Sequence, residues 1–296
     1  MTIREHINIS DDRLMNGLLP VVRIMSEINT SKDSEVTLDF SDTRFVSPVF
    51  ILSLIVFATR CGKRISIIGA NKYLETIGLT DEGIAPDKLR GSAFLAIMEG
   101  YSNKTYIPIV SFPANTNTDE KETISSIVED IIIRQLNIEH NVATGIKYMV
   151  EETIDNVTEH SETDRGFIFA QSYQNKGYLD LCIADRGITL LGSYKKLPDN
   201  EINDDMEAIK AANRGISSKN RPEAENRGFG IYTSKKMLIE GLGGQYMMIS
   251  GNSMYMKNKE LDNFYSLPGN IRLDGTVVAL RIPFQSPNFN YVNYIE

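Results

Sequence analysis

Residues Glu151 to Ser161 read EETIDNVTEHS and form the second half of a helix that the sequence predicts from about His140 to His160. At about 100° per residue, the apolar side chains collect in one stripe, which consists of Val142, Ile146, Met149, Thr153 and Val157, with Val150 at its edge. Glu152 and Asn156 fall one turn apart on a flank of that stripe. A carboxylate and a carboxamide are therefore expected together where the buried face meets solvent.

These two side chains suggest a chemical site. A half-buried carboxylate can be tuned as a general base, and a carboxamide oxygen can ligate a hard cation such as Mg²⁺. Glu151 and Asp155 point further out. By itself, however, the helix is equally compatible with a solvated Glu and an ordinary surface Asn.

Three further motifs follow in a definite order. Ile183-Ala-Asp185-Arg-Gly187 comes after an apolar strand, Asn226-Arg-Gly228-Phe-Gly230 precedes a helix, and Gly275-Thr276 opens a last strand. Together with the E-x-x-x-N helix, this order resembles the nucleotide site of the GHKL superfamily, which includes gyrase, Hsp90, histidine kinases and MutL. The resemblance covers roughly residues 115–283. Each motif alone is weak, so the order and spacing of all four carry the resemblance.

The resemblance implies the Bergerat ATP-binding fold, with ATP and Mg²⁺ as cofactors, and a role for each matching residue. Glu152 would be the catalytic base and Asn156 the metal ligand. The Asp185 carboxylate would accept the exocyclic amine of adenine, with Thr276 bonding nearby. Gly187 would let the main chain pass close to the base, since glycine has no side chain to obstruct it.

The segment Arg214–Gly228 is polar and is expected to form a lid over the nucleotide. Gly228 and Gly230 would be its phosphate-binding end, because the free N–H groups of the following helix suit an anion. Lys219 and Arg227 either approach the terminal phosphates or are ordinary solvated charges of the lid. The family often has a second Gly two places after Gly187, where this chain has Thr189.

The N-terminal part alternates strands and helices, which predicts a small α/β layer. The expected elements are a strand at His6–Ile9, a helix at Asp11–Asn29, a strand at Val36–Phe40, a helix at Pro48–Thr59, a strand at Arg64–Ile68 and a helix from Lys72 to Ile77. The stretch VTLDFSDTRFVSPVFILSLIVFATRCGKRISIIGANKYLETIGL, residues 36–79, resembles a STAS domain, the fold of anti-sigma-factor antagonists.

The chain departs from that family at the phosphorylation site. The antagonists carry D-S-S-G at the start of a helix, and the second Ser accepts phosphate, but residues 47–50 here are Ser-Pro-Val-Phe. Val49 occupies the acceptor position, so no phosphorylation switch is expected, and Ser47 is interpreted as the helix N-cap. The STAS-like domain is therefore interpreted as a docking or structural module.

The remaining pattern predicts an α/β sandwich, a mixed sheet with helices packed on one face. Its expected elements are helices at 87–100, 119–136, 204–213 and 231–240 and strands at 106–112, 166–173, 178–184, 245–250, near 254 and at 277–283. Asn175-Lys-Gly177 signals a hairpin. The turn-rich residues 113–118 place the domain boundary near 114, which divides the chain into a STAS-like domain (1–114) and a GHKL domain (115–296). The boundary could also fall twenty residues earlier.

Composition excludes several other classes. The net charge is −8, from 31 basic and 39 acidic residues, and no basic tract appears, so nucleic acid is not expected as the main ligand. Cys61 and Cys182 form no C-x-x-C and suit small buried residues in a reducing cytoplasm. No signal peptide and no membrane-spanning run is apparent. A P-loop motif is absent, and no His lies in a dimerisation helix upstream of the ATP motifs, which disfavours a sensor histidine kinase.

These observations predict a cytoplasmic, bacterial regulatory protein, closest in look to the anti-sigma-factor serine kinases. The first hypothesis is an enzyme that cleaves Mg²⁺-ATP and passes the γ-phosphate to water or to a Ser/Thr of a partner protein. The second is a non-enzymatic module in which the nucleotide only orders the chain for a protein partner. A homodimer is compatible with either hypothesis. Glu152 favours the enzyme, because binding alone needs no base.

Overall fold

The computed structural model describes residues 1–4, 14–79, 100, 104–114, 126, 130, 132–133, 140–163, 165–218, 229–284 and 289–294. Its helices and strands are β1 (Thr2–Arg4), α1 (Leu14–Thr30), β2 (Glu35–Asp39), α2 (Pro48–Ala58), β3 (Arg64–Ile68), α3 (Lys72–Thr76), β4 (Tyr106–Pro113), α4 (His140–His160), β5 (Arg165–Tyr173), β6 (Tyr178–Asp185), α5 (Leu190–Tyr194), α6 (Asp205–Asn213), α7 (Phe229–Lys236), β7 (Gln245–Gly251), β8 (Ser253–Lys257), β9 (Asp262–Ser266) and β10 (Leu273–Pro283). The fold class is α/β, as the sequence predicted.

The N-terminal strands β1, β2 and β3 form a parallel sheet in that order, with α1 and α2 as the crossover connections. The strands and helices predicted between residues 36 and 77 are therefore confirmed. The strand predicted at His6–Ile9 lies outside the described residues. Helix α1 begins at Leu14 and continues through Pro20 to Thr30.

Helix α2 is buried on all sides. Every residue from Pro48 to Phe57 is buried, and the sequence PVFILSLIVFA offers no polar face. The helix packs against α1 and also against β5, β6 and β10 of the second sheet. A helix that is apolar all round is expected only where both of its sides are covered. Ser47 caps this helix as predicted, because its hydroxyl accepts a hydrogen bond from the Phe50 N–H at 3.3 Å.

The second sheet has the strand order β4-β5-β6-β10-β7-β8-β9 in the described part of the chain. All of its neighbouring pairs are antiparallel, so the prediction of a mixed sheet was wrong. A hairpin, β5-β6, and a three-stranded meander, β7-β8-β9, supply most of the sheet. Strand β10 lies between them and pairs antiparallel with β6 and β7. The N–K–G turn forms the predicted hairpin, with Gly177 in the left-handed region at φ 73°.

Strand β4 pairs with β5 at the edge of this second sheet. The boundary predicted near residue 114 therefore separates β4 from the sheet that it joins. Strand β9, at the opposite edge, was not predicted. Its sequence DNFYS lacks the apolar alternation of a half-buried strand, since its Asp262 and Asn263 are exposed.

Both faces of the second sheet are covered. One face carries residues such as Leu181, Ile183 and Leu280 and packs on α4 and α6. The other carries Cys182 and Ala279 and shares one hydrophobic cluster with α1 and α2. Helices α4, α6 and α7 of the predicted C-terminal domain share one face, as the sequence predicted, and the N-terminal helices α1 and α2 cover the other face.

Helix α4 has the predicted bounds and the predicted buried stripe. Val142, Ile146, Met149, Val150, Thr153 and Val157 are all buried, and Ile154 joins them. The helices predicted at 204–213 and 231–240 correspond to α6 and to α7 with the π-helical turn that follows it. The helix predicted at 87–100 and most of that at 119–136 lie outside the described residues. No helix in the described part of the chain is long and apolar enough to cross a membrane.

Candidate functional site

A cavity of about 330 Å³ lies between the helical layer and strands β6, β10 and β7. Its lining includes the predicted site residues Glu152, Asn156, Asp185, Gly230 and Thr276. Sites for small molecules typically enclose about 300–1,000 Å³. The structure therefore brings together residues that are up to 124 positions apart in the chain, from Glu152 to Thr276.

Asp185 lies on the floor of the cavity at the end of β6, and only 3% of its surface is exposed. The Gly187 N–H donates to its Oδ1 at 2.8 Å, and the Thr276 main-chain N–H also donates to the carboxylate. Burial raises the pKa of Asp185 to about 7, although both hydrogen bonds act to lower it. A buried acid that titrates near neutrality at a cavity floor is typical of a functional site.

Two glycines allow close contacts between main-chain segments around Asp185. Gly275, at φ 144°, packs its Cα against the Asp185 carbonyl and leaves no room for a side chain. Gly187 packs in the same way against the main chain of Ser161, and the Ile188 N–H donates to the Ser161 carbonyl at 2.7 Å. The sequence attributed the need for Gly187 to a passing nucleotide base. In the described structure, this contact with the end of α4 also leaves no room for a side chain at position 187.

Glu152 and Asn156 lie at one side of the cavity, both half-buried. The Asn156 Nδ2 donates to the Glu152 carbonyl one turn earlier at 2.7 Å. This bond uses the amide nitrogen, so the carboxamide oxygen is the atom that suits a cation. Glu151 points outward and pairs with Lys147 at 3.4 Å. Asp155, which was predicted to point further out than Glu152 and Asn156, also lines the cavity.

Apolar side chains form part of the cavity wall. Ile183, Ile188, Leu190, Met248 and Val278 contribute to it. This apolar part of the wall suits the flat face of a heterocyclic base. Polar side chains line the rest, among them Thr153, Ser161, Ser193 and Ser234.

Thr189, at the position where the GHKL pattern often has glycine, acts as the N-cap of α5. Its hydroxyl accepts from the Gly192 N–H at 3.3 Å, and its side chain is buried. Ser193, on the same helix, lies 2.9 Å from the Ser218 hydroxyl, and both residues line the cavity. Sequence reasoning did not find this pair, because only the packing of α5 against residues 216–218 brings the two hydroxyls together.

Three predicted residues, Lys219, Arg227 and Gly228, lie outside the described residues. Of the two glycines predicted for the phosphate-binding end, Gly230 lies within the described residues, in the first turn of α7. Gly230 has its main chain against the Glu152 carboxylate.

The described residues contain no cluster of three or more His, Cys, Asp or Glu that could hold a metal ion.

In comparisons of sequence, no protein-family model and no curated protein matches this chain.

Proposed function

We propose that this chain is a cytoplasmic regulatory protein of the GHKL type that binds Mg²⁺-ATP and passes the γ-phosphate to water or to a Ser/Thr of a partner protein. The observation that carries the proposal is Asp185, a buried carboxylate on the floor of a cavity of about 330 Å³. An exposed amino group on a flat apolar ring is the natural partner of such an acceptor. Adenine provides that combination.

The base would lie against the apolar part of the cavity wall with its amino group toward Asp185. A buried polar group without a hydrogen-bond partner costs binding free energy. The Asp185 carboxylate therefore favours ligands that place a hydrogen-bond donor against it. The Gly187 and Thr276 N–H groups hold the carboxylate in place before the ligand arrives. The site thus avoids the cost of ordering this side chain on binding.

The phosphates would extend toward Asn156 and Gly230. Asn156 would hold the Mg²⁺ ion through its carboxamide oxygen, and the ion would neutralise phosphate charge. Glu152 is placed on the same flank of α4, one turn earlier. Its carboxylate would accept the proton of the attacking hydroxyl or water, which is the role of a general base.

The N-terminal unit supports the site from behind in this proposal. Helix α2 packs on β6 and β10, the strands that end at Asp185 and begin near Thr276. The Arg60 Nη2 donates to the Arg186 carbonyl at 3.3 Å, between the two residues of the D-x-G motif. Because Val49 is buried against its own fold, a structural role for this unit is better supported than docking through the start of α2.

The test is incubation of the full chain with Mg²⁺ and γ-labelled ATP, alone and with candidate partner proteins, followed by separation of free phosphate from phosphoprotein. Release or transfer of label that disappears in Glu152→Ala supports the enzyme. Binding of ATP without any cleavage would instead support the non-enzymatic module. If the chain binds no ATP at all, the proposal is wrong.

A further inference from the structure

Ser250, on β7, connects α5 and β10 beside the cavity. Only 1% of its surface is exposed, and it is not among the residues that line the cavity. Its hydroxyl lies 3.0 Å from the Leu190 N–H, 3.2 Å from the Gly275 carbonyl and 3.1 Å from the Thr276 hydroxyl. These contacts join the start of α5 to β10.

The register of the sheet explains this position. Ser250 pairs directly with Thr276, and on the other side of β10 the pair Val277–Ala184 places Asp185 at the level of Thr276. Asp185, Thr276 and Ser250 thus form a row across three neighbouring strands. Alternation along each strand turns all three toward the helical face, where the cavity lies.

The direction of each hydrogen bond follows from the number of protons. A serine hydroxyl has one proton and two lone pairs. The Leu190 N–H occupies one lone pair, and the Gly275 carbonyl, which can only accept, takes the proton. The contact with Thr276 is then satisfied only if the Thr276 O–H donates into the second lone pair of Ser250.

This arrangement leaves the Thr276 oxygen as an acceptor toward the cavity. Beside it, Asp185 is an acceptor as well when ionised. A 6-amino purine carries two N–H groups that match two acceptors, whereas a 6-oxo purine presents a carbonyl oxygen there. The 6-oxo oxygen would then face the acceptor oxygens of Asp185 and Thr276 with no proton between them. Such contacts disfavour binding.

We infer that Ser250 is a positioning residue that fixes the Thr276 hydroxyl as an acceptor and thereby helps the site to select 6-amino over 6-oxo purine nucleotides. The inference rests on the proposed function, since it concerns the same cavity. Ser250 itself would touch no ligand. It would act by fixing the direction of the Thr276 hydroxyl proton.

The experiment measures the affinities of Mg²⁺-ATP and Mg²⁺-GTP for the full chain by calorimetry at a pH above 7, where Asp185 is mostly ionised. In Ser250→Ala the Thr276 hydroxyl becomes free to rotate and donate. The ratio of ATP affinity to GTP affinity should therefore fall about 5- to 10-fold, which is the effect of one hydrogen bond. Ser250→Thr, which keeps the hydroxyl, should retain the ratio.

Ser253→Ala is the matched control, because Ser253 is equally buried and pairs with Ser250, but its hydroxyl donates to Asn252 instead. It should leave the ratio unchanged. If Ser250→Ala does not fold, Ser250→Cys keeps the volume with a much weaker donor and acceptor, and should lower the ratio in the same way.

An unchanged ratio in a folded Ser250→Ala or Ser250→Cys variant, even with both affinities reduced, would overturn the inference and leave Ser250 a structural role. That result would leave the proposed function unaffected, since ATP would still bind. Absence of nucleotide binding by the wild-type chain would overturn both.

Discussion

The carboxylate of Glu152 on α4 lies directly against the main chain of Gly230 on α7 and leaves no space for a side chain at position 230. This contact joins the two predicted motifs, E-x-x-x-N and G-x-G, at one point of the cavity. It also makes the position of the proposed base dependent on a residue 78 places later in the chain.

Gly230→Ala should therefore displace the Glu152 carboxylate. Because the obstructed atoms are the end of a flexible side chain, the variant should fold, but ATP turnover should fall about 10²-fold or more if Glu152 is the base. Turnover and the thermal midpoint are measured together. In a Glu152→Ala background, the same substitution should have little further effect on turnover; additive losses would show that Gly230 acts independently of Glu152.

Glu152→Ala should separate binding from chemistry. Its side chain is proposed to take a proton rather than to hold the nucleotide, and loss of a general base typically costs about 10²–10⁴ in rate. Mg²⁺-ATP affinity should stay close to that of the wild type while turnover collapses. Glu151→Ala is the control, since Glu151 points outward to Lys147, and it should change neither quantity. Normal turnover by Glu152→Ala would rule out the assigned role.

Asp185→Asn should weaken ATP binding. An amide has one acceptor oxygen, which would have to serve the Gly187 and Thr276 N–H groups as well as the amino group of the ligand. Because a hydrogen bond to a charged group contributes about 1.5–3 kcal/mol, affinity should fall roughly 10- to 100-fold. Asp204→Asn is a suitable control, because Asn replaces Asp well as the N-cap of α6. Equal affinities of the Asp185→Asn variant and the wild type would exclude Asp185 from the site.

The stability of the protein should depend on pH through Asp185. Its pKa is about 7 in the folded chain against 3.8 for an ordinary Asp, so the folded state holds the proton more tightly. On account of this group, the free energy of unfolding should fall as pH rises between these two values, by at most about 1.4 kcal/mol per pH unit, and level off above.

Urea unfolding of the wild type and Asp185→Asn across this range measures the effect. The difference between the two curves should change with pH and flatten above about pH 7. Parallel curves would show that the carboxyl titrates in the folded protein as it does in the unfolded chain.

Ser47 should not be phosphorylated in the folded protein. It is 3% exposed, caps α2 and lies beside Val49, which is also buried. A protein kinase needs an extended, accessible substrate segment, so mass spectrometry after incubation with an anti-sigma-factor type kinase should find Ser47 unmodified. Stoichiometric phosphate on Ser47 would mean that the start of α2 opens readily.

Local pattern was sufficient for most elements of the fold. The bounds of α4, its buried stripe, the 173–178 hairpin and the Ser47 cap all depend on residues within a few positions of each other. Such features follow from helical periodicity, glycine conformation and capping chemistry, which act over one or two turns. The motifs that line the cavity were likewise visible as ordered spacings.

Other features depended on contacts between distant segments. The insertion of β10 between β6 and β7, the edge pairing of β4 and the cover of α2 on the second face are long-range packing events, with no local signal in the chain. The same holds for the contacts of Gly187 with Ser161 and of Ser250 with Thr276. The sequence by itself therefore determined which residues are candidates for the site chemistry, because their types and local spacing indicate it. Only the tertiary structure decided which neighbours orient them, because strand register and layer packing are properties of the whole folded chain.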